Sequence, residues 1–262
     1  MRAIKELGQN FITNPTLAQK IVDASNPCKQ DTYLEIGPGK GALTDILAPR
    51  VKHLICVEKD LLMCELIKNR FSDQAHVQFI PMNILEFNAQ SYIHEEYKVI
   101  GSLPFNISKK IITLFAAQQT HKPISMTFVI QKEVAEKYIV SPPIASYLSN
   151  FIQLYADCEI VFNIKSGNFK PKPKVDASLI RFTPKPPPKN HQKLAHFMRA
   201  IFQHPRKTLK NNLRSIVNPE QLDLYYPQFI QIVDLQKRPS EVYFEEILDL
   251  FLVYNKSKSN ET

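Results

Sequence analysis

The segment Gly101–Asn106, with the sequence GSLPFN, follows the hydrophobic run Tyr97–Ile100 and places hydrogen-bonding and stacking groups at the end of a predicted strand. Proline stops a strand and restricts the preceding residue to extended geometry, so the carbonyl of Leu103 points in a defined direction. Ser102 adds a hydroxyl and Phe105 adds an aromatic face. The segment therefore predicts a rigid corner, which either serves packing alone or holds a flat polar ring.

A second motif, EIGPGKGALT (Glu35–Thr44), joins a predicted strand to a predicted helix, which is the context that a glycine-rich nucleotide-binding turn requires. Glycines allow the backbone to adopt positive φ and to approach a ligand closely. A tight turn without a ligand is the alternative interpretation. The chain has only six glycines, and four of them lie at the ends of two predicted strands: Gly37, Gly39, Gly41 and Gly101.

Glu58 ends the next predicted strand, roughly 20 residues after the glycine turn, where a carboxylate can bind both ribose hydroxyls of a nucleoside. The glycine spacing is not that of the dinucleotide fingerprint, because one residue separates the first two glycines and a lysine follows the second. It is also not a phosphate loop, since Ser or Thr does not follow the Gly-Lys pair. A nucleoside without a pyrophosphate fits this pattern better.

The elements that position these motifs alternate between strand-like and helix-like segments from residue 31 to about 180, which predicts a mostly parallel sheet covered on both faces. The proline-rich stretch PKPPPKN favours a stiff extended linker, and three helical patterns follow it. We expect a first domain over 1–183, a linker over 184–190, a helical domain over 191–255 and a disordered tail over 256–262. The predicted strands are Thr32–Gly37, His53–Asp60, Val77–Phe87, Tyr97–Phe105, Ser125–Glu133 and a later one entered through Lys170–Phe182.

The bulk composition favours a globular, cytoplasmic protein with a moderate preference for polyanions. The 262 residues include 33 basic and 25 acidic ones, for a net charge of +8. No apolar run approaches the roughly 18 residues that a membrane span needs, and the N-terminus does not resemble a secretory signal. The scattered cysteines Cys28, Cys56, Cys64 and Cys158 show no metal spacing and are typical of reduced packing residues.

Several motifs in the same order carry a resemblance. EIGPGKGALT with VEKD resembles motifs of S-adenosylmethionine-dependent methyltransferases, and GQNF, SLPFN, QKEVAEKY and KPKVDASLIRF resemble the rRNA adenine N6-dimethyltransferase family. That family contains the KsgA enzymes of the small ribosomal subunit and the Erm resistance enzymes of the large subunit. The resemblance, over residues 4 to about 250, implies a Rossmann-like methyltransferase domain with a mostly parallel seven-stranded sheet and a small C-terminal all-helical domain. It implies S-adenosylmethionine as cofactor and ribosomal RNA as partner.

The resemblance also implies which residues contact the cofactor. The family's third strand normally ends in Asp, whose carboxylate accepts a hydrogen bond from the adenine of the cofactor, whereas this chain has Asn83. An amide oxygen can accept the same bond, but without charge the bond is weaker. The GQNF segment is expected to fold over the cofactor. The implied cofactor contacts are Gln9, Asn10, Ile12, Gly37, Gly39, Glu58, Lys59, Asn83, Ile84 and Ser102.

The corner that begins at Ser102 corresponds to the family's catalytic corner, which is usually Asn-Leu/Ile-Pro-Tyr/Phe. The family chemistry implies that the residue-102 side chain and the Leu103 carbonyl accept the two N6 hydrogens of adenine, that Pro104 fixes the corner, and that Phe105 stacks on the base. Serine offers the same lone pairs as asparagine on an arm about one bond shorter, so slower methyl transfer is expected. An inactive RNA-binding assembly factor stays open as an alternative.

Basic residues near these motifs predict a track for RNA phosphates. The segment RKTLKNNLR is expected to place its charges on one helix face, although such a face is often merely solvated. HPRKTLKNNL and RPSEVYFEEILDLF favour a KsgA-type enzyme, whereas QNFITNP and the short stretch before KPKPKVD resemble Erm. The predicted RNA-binding residues are Lys109, Lys110, Lys170, Lys172, Lys174, Arg206, Lys207, Lys210 and Arg214.

The leading prediction is therefore a dimethyltransferase that acts on N6 of adenosines in small-subunit rRNA during ribosome assembly, as a monomer, with no metal and no membrane. The alternatives are an Erm-type enzyme for large-subunit rRNA and the inactive assembly factor. A small-molecule methyltransferase is a weaker alternative, because it leaves the basic segments unexplained.

Overall fold

A computed structural model of the chain describes residues 10–217 and 219–259. Its strands are β1 (Phe11–Ile12), β2 (Thr32–Ile36), β3 (His53–Glu58), β4 (Val77–Pro81), β5 (Tyr97–Ser102), β6 (Ser125–Gln131), β7 (Ala156–Ile164), β8 (Phe169–Lys170) and β9 (Ala177–Pro184). Its helices are α1 (Pro15–Ala24), α2 (Thr44–Leu47), α3 (Leu61–Arg70), α4 (Ser108–Thr113), α5 (Lys132–Ile139), α6 (Tyr147–Gln153), α7 (His191–Ile201), α8 (Leu209–Leu213), α9 (Pro219–Ile232) and α10 (Phe244–Ser259).

A seven-stranded sheet with the order β4-β3-β2-β5-β6-β9-β7 forms the centre of the part of the chain that contains the strands. Strands β2 to β6 pair in parallel, and β9 and β7 add an antiparallel edge. All five residues of β2 are buried, as expected for a strand covered on both faces. The predicted mostly parallel, Rossmann-like sheet is confirmed, and it brings the carboxyl ends of β2, β3, β4 and β5 to one edge.

The predicted end of the third strand, Val77–Phe87, is wrong. Strand β4 ends at Pro81, and Ile84–Glu86 form a 3-10 turn. The side chain of Asn83 caps this turn by accepting a hydrogen bond from the backbone N–H of Leu85 at 3.2 Å. An asparagine cap competes with continued strand pairing, because it satisfies the backbone locally. The chain therefore turns across the sheet edge immediately after β4.

Two features of the strands were not predicted from the sequence pattern. Strand β7 lies at the sheet edge, mixes exposed and half-buried positions, and contains a bulge between Ile160 and Phe162, so its side chains do not alternate regularly. Strands β1 and β8 form a separate two-stranded antiparallel ladder, in which Phe11 pairs with Lys170 and Ile12 with Phe169.

The chain divides into two compact units. The first contains the described residues up to Ala135 together with Ala156–Pro184, and the second contains Glu136–Tyr155 and the described residues from Lys185 onward. The division after Pro184 lies at the proline-rich segment, while residues 136–155 group with the helices that follow it. The last helix, α10, continues to Ser259, into the segment expected to be a tail, and residues 260–262 lie outside the described residues.

The second unit is built from helices around buried apolar side chains, including Phe197, Phe229 and Phe251. Its turn before α8 is held by Asn212, whose fully buried amide accepts from the backbone N–H of His204 and donates to the carbonyls of His204 and Thr208, each at 3.1 Å. Within the described residues, no helix combines the length and apolarity needed to cross a membrane.

Candidate active site

A cavity of about 220 Å³ opens at the carboxyl edge of β2, β3, β4 and β5. It collects every predicted cofactor-binding and catalytic residue except Gln9, which lies outside the described residues. The predicted residues that line it are Asn10, Ile12, Gly37, Gly39, Glu58, Lys59, Asn83, Ile84, Ser102, Leu103, Pro104 and Phe105.

The glycine turn forms one side of this cavity in a backbone conformation that favours glycine. Gly37, Gly39 and Gly41 have φ of +66°, +53° and +83°. A Cβ added to Gly39 would lie 2.9 Å from Cε1 of Phe11, so the ring of Phe11 packs directly on the glycine backbone. At Gly37 no atom lies within 4 Å of an added Cβ, so the turn leaves open space there, as a ligand-binding turn requires.

Glu58 lies at the end of β3 and is only 7% exposed. Its Oε2 accepts the backbone N–H of Gly39 at 3.2 Å, and its Oε1 accepts that of Asp60 at 3.0 Å. Burial raises the pKa of this carboxyl, and the two N–H donors act against that rise. Each carboxylate oxygen can accept a further bond, so the group can bind a pair of hydroxyls from the cavity.

Asn83 also lines the cavity, from the capped turn after β4. Its Oδ1 accepts from Leu85, and its Nδ2 donates to Oε1 of Glu86 at 3.2 Å. These two bonds define which end of the amide is the acceptor. Ile84 is buried beside it and gives this end of the cavity an apolar wall.

The corner after β5 is held by backbone hydrogen bonds, as a rigid corner requires. The N–H of Leu103 donates to the carbonyl of Val129 at 3.0 Å, and the N–H of Ile107 donates to that of Pro104 at 3.1 Å. Ser102 and Phe105 are half-buried and face the cavity. Two acceptors and an aromatic ring are thus presented together at the point where the cavity opens.

Gly101 allows the close approach of β5 to β2 just below this corner. A Cβ added there would lie 2.7 Å from the carbonyl oxygen of Ile36, which belongs to the neighbouring strand. Glycine at this position therefore permits the corner and the glycine turn to share one cavity.

Some lining residues were not predicted to bind a ligand. Phe169 reaches the cavity through the β1–β8 ladder, and Asn106 and Lys40 are members of the two motifs that were not themselves assigned a ligand contact. Glu35, the first residue of the EIGPGKGALT motif, also lines the cavity and is 1% exposed. Its place in that motif, two residues before the first glycine, was the only sequence signal for it.

Burial raises the pKa of Glu35 to about 7. The thiol of Cys56 donates to its Oε2 at 3.7 Å. The buried hydroxyl of Thr44 acts to lower that pKa, yet it has no hydrogen bond of good geometry. A buried carboxyl whose pKa lies near neutral pH is thus found under the turn. The described residues contain no group of three or more His, Cys, Asp or Glu side chains arranged to hold a metal.

The predicted RNA-binding residues divide between the two units. Lys109, Lys110, Lys170, Lys172 and Lys174 lie exposed in the first unit, and Lys170 directly follows the cavity residue Phe169. The basic residues from Arg206 to Arg214 lie in the second unit.

The expectation that those second-unit residues share one helix face is wrong. Helix α8 begins only at Leu209, because the hydroxyl of Thr208 caps it, accepting from the N–H of Asn211. Arg206 and Lys207 therefore lie in the preceding turn, and the ammonium of Lys210 lies 4.7 Å from the ring centroid of Tyr226.

Comparison with known proteins agrees with this geometry. A family model described as ribosomal RNA adenine dimethylase matches residues 1–256. The ribosomal RNA small subunit methyltransferase A of Coxiella burnetii is 32% identical over 259 residues, covering 96% of this chain and 97% of that protein.

Two solved structures share the fold. A dimethyladenosine transferase from Plasmodium falciparum superposes with a TM-score of 0.76 at 21% identity, covering 94% of this chain and 98% of that one. The 23S rRNA methyltransferase ErmE superposes with a TM-score of 0.73 at 20% identity, covering 94% of this chain and all of that one, 100%. By the family match and the near full-length relative, the chain belongs to the ribosomal RNA adenine dimethylase family.

Proposed function

We propose that this protein transfers methyl groups from S-adenosylmethionine to N6 of adenosine in small-subunit rRNA, producing N6,N6-dimethyladenosine during ribosome assembly. The methyltransferase class and the methyl donor follow from membership of the family. One observation carries the site assignment: the Ser102–Phe105 corner opens into the same cavity as the glycine turn and Glu58.

The cavity residues fit S-adenosylmethionine chemically. The positive-φ glycines leave room for the methionine part, and Glu58 offers free lone pairs to the ribose hydroxyls. The Oδ1 of Asn83 is an acceptor for an adenine amino group, while Ile84 and Val57 supply apolar walls. When bound, this cofactor supplies a methyl group that its sulfonium makes electrophilic.

The corner then orients the nucleophile. Adenine N6 is a weak nucleophile because its lone pair is delocalised into the ring. The Ser102 hydroxyl and the Leu103 carbonyl accept the two N6 hydrogens, which directs the lone pair out of the ring plane, and Phe105 stacks on the base. Nitrogen becomes acidic after attack and releases its proton to water, so no strong base is needed. Catalysis then depends on placing adenine N6 in line with the methyl group.

The small subunit is proposed as the target because the near full-length curated relative carries that name. Exposed lysines beside the cavity favour a polyanionic substrate over a small molecule. The proposal also takes the protein to act as a cytoplasmic monomer, as the sequence predicts.

The decisive experiment incubates the purified protein with labelled S-adenosylmethionine and unmethylated small or large subunits separately. Nucleoside mass analysis then measures mono- and dimethyladenosine. Dimethyladenosine in the small subunit supports the proposal, and label only in the large subunit would assign the protein to the Erm-type activity. Ser102→Asn is expected to raise the rate and Ser102→Ala to lower it, because they restore and remove the side-chain acceptor.

A binding-only assembly factor is the second candidate, because Ser102 and Asn83 both depart from the family pattern. Calorimetry with S-adenosylmethionine separates the two. Subunit binding without measurable cofactor affinity would favour the binding-only role, whereas cofactor binding with methylation excludes it.

A further inference from the structure

A groove lined by Leu85, Lys109, Lys110, Thr113, Leu114 and Gln118 runs beside the active site. It lies between the turn after β4 and helix α4. Leu85 lines both this groove and the catalytic cavity, so the two are neighbours on either side of this residue. Helix α4 begins at Ser108, three residues after Phe105, which ties the groove wall to the catalytic corner by a short length of chain.

The walls of the groove are held together by a buried amide. Gln119 is 6% exposed. Its Oε1 accepts the N–H of Ala89 at 3.1 Å, and its Nε2 donates to the carbonyl of Phe87 at 2.8 Å. These bonds join the segment after β4 to the end of the α4 region. The groove is therefore preformed, which lowers the entropy lost on binding.

A π-helical turn over Leu114–Gln118 continues α4 and shapes the far wall. Such turns are rare and occur frequently at functional sites. Ile111 and Phe115 are fully buried beneath this wall, so it has an apolar anchor in the core. The wall formed by Leu114–Gln118 is consequently held in place by the core.

The chemistry of the groove matches a nucleotide. Lys109 and Lys110 are exposed, and no carboxylate lines the groove within the described part of the chain. Two ammonium groups without a competing acid match a phosphodiester. Leu85 and Leu114 offer apolar surface to a base or ribose, and Thr113 and Gln118 offer hydrogen bonds to a base edge or a 2′-hydroxyl.

We propose that this groove binds the nucleotide adjacent to the target adenosine, with its phosphate at Lys109 and Lys110 and its base against Leu85 and Leu114. The inference rests on the proposed function, because it requires an adenosine at the catalytic corner. The groove fixes the strand next to the base that is turned out, and unstacking that base becomes less costly. The groove thereby contributes RNA affinity that does not depend on bound cofactor.

The test compares three variants in RNA binding with an unmethylated rRNA fragment over a salt series. Lys109→Ala/Lys110→Ala is expected to weaken binding about tenfold at low salt and to reduce the salt slope by about 1.4, since single-stranded contacts contribute about 0.7 each. Thr113→Phe fills the groove without changing charge, so it weakens binding and leaves the slope unchanged. The control Lys20→Ala/Lys68→Ala removes the same charge from exposed positions on α1 and α3.

Cofactor affinity, measured by calorimetry, should be the same in all variants, which shows that the site beside the groove is intact. The inference is overturned if Lys109→Ala/Lys110→Ala behaves like the control pair, or if Thr113→Phe binds RNA as the wild type does. The proposal for the groove is thus tested by RNA affinity alone. The proposed function is tested by methylation, and a wild-type protein that methylates neither subunit would contradict it. Failure of one proposal can therefore be distinguished from failure of the other.

Discussion

Replacing Asn83 with aspartate tests how this chain recognises the adenine of its cofactor. A hydrogen bond to a charged acceptor stabilises by about 1.5–3 kcal/mol, against about 0.5–1.5 kcal/mol for a neutral pair. The gain of about 1 kcal/mol would tighten cofactor binding about fivefold. The variant also keeps the cap of the 3-10 turn, because aspartate accepts the Leu85 N–H as asparagine does.

The structure shows why the single variant should not deliver this gain. The Nδ2 of Asn83 lies 3.2 Å from Oε1 of Glu86, so Asn83→Asp brings two carboxylates face to face. Glu86 is exposed, and two charges about 4 Å apart in water repel by about 1 kcal/mol. In the free protein the two carboxylates can turn apart, and cofactor binding must bring the introduced one back beside Glu86, so the repulsion opposes binding. Asn83→Asp alone should therefore bind the cofactor within about twofold of wild type.

The double variant Asn83→Asp/Glu86→Gln removes the repulsion and supplies an amide donor, so it should bind S-adenosylmethionine about fivefold tighter than wild type. Titration calorimetry at one pH and salt concentration measures four proteins: wild type, the single variant, the double variant and Glu86→Gln as the matched control. A single variant as tight as the double would show that Glu86 exerts no repulsion. No gain in the double variant would refute the assignment of residue 83 to the adenine.

Three further outcomes are expected. Because the pKa of Glu35 is raised to about 7 in the folded state, the free energy of unfolding should fall by on the order of 3 kcal/mol as pH rises from about 4.5 to about 7. Urea titrations at about pH 4.5 and about pH 8 cover this range, and Glu35→Gln should lack the fall; a fall of equal size in wild type and Glu35→Gln would contradict the assignment. Gly39→Ala should lose about 1 kcal/mol more stability than Gly37→Ala, since both have positive φ but only the Gly39 Cβ meets the ring of Phe11; equal melting shifts would count against that contact. Phe105→Leu should lower kcat/KM for RNA about tenfold or more through lost stacking while Phe105→Tyr retains it, and cofactor affinity should not change.

The convergence of the site was predictable because its residues end successive parallel strands. Gly37 and Asn83 follow β2 and β4, Glu58 and Ser102 end β3 and β5, and the carboxyl ends of parallel strands meet at one edge. The contribution of Phe169 was not predictable. It depends on a ladder between segments about 155 residues apart, for which no local pattern gives a signal.

The basic segment before α8 shows a different source of error. Charge spacing predicted one continuous helix from Arg206 to Arg214, but Thr208 is a strong N-cap residue and the helix begins after it at Leu209, three residues later. Strand β7 was missed because an edge strand with a bulge lacks the alternation that identifies strands. At α8 a capping hydrogen bond overrides the charge spacing, and in β7 an irregular ladder removes the alternation of side chains.

The β1–β8 ladder has a consequence for amide hydrogen exchange. It contains two residues in each strand, stands apart from the seven-stranded sheet, and carries Ile12 and Phe169 to the wall of the cavity. Such a short ladder can open locally without unfolding the sheet, so the Thr13 N–H, which donates to the carbonyl of Asn168 at 3.0 Å, should exchange far faster than the amides of β2. A ligand that contacts this wall closes the opening by its own binding energy. Slower exchange of the Thr13 N–H would therefore indicate that the cofactor is bound, although Thr13 is far from Glu58 in the sequence.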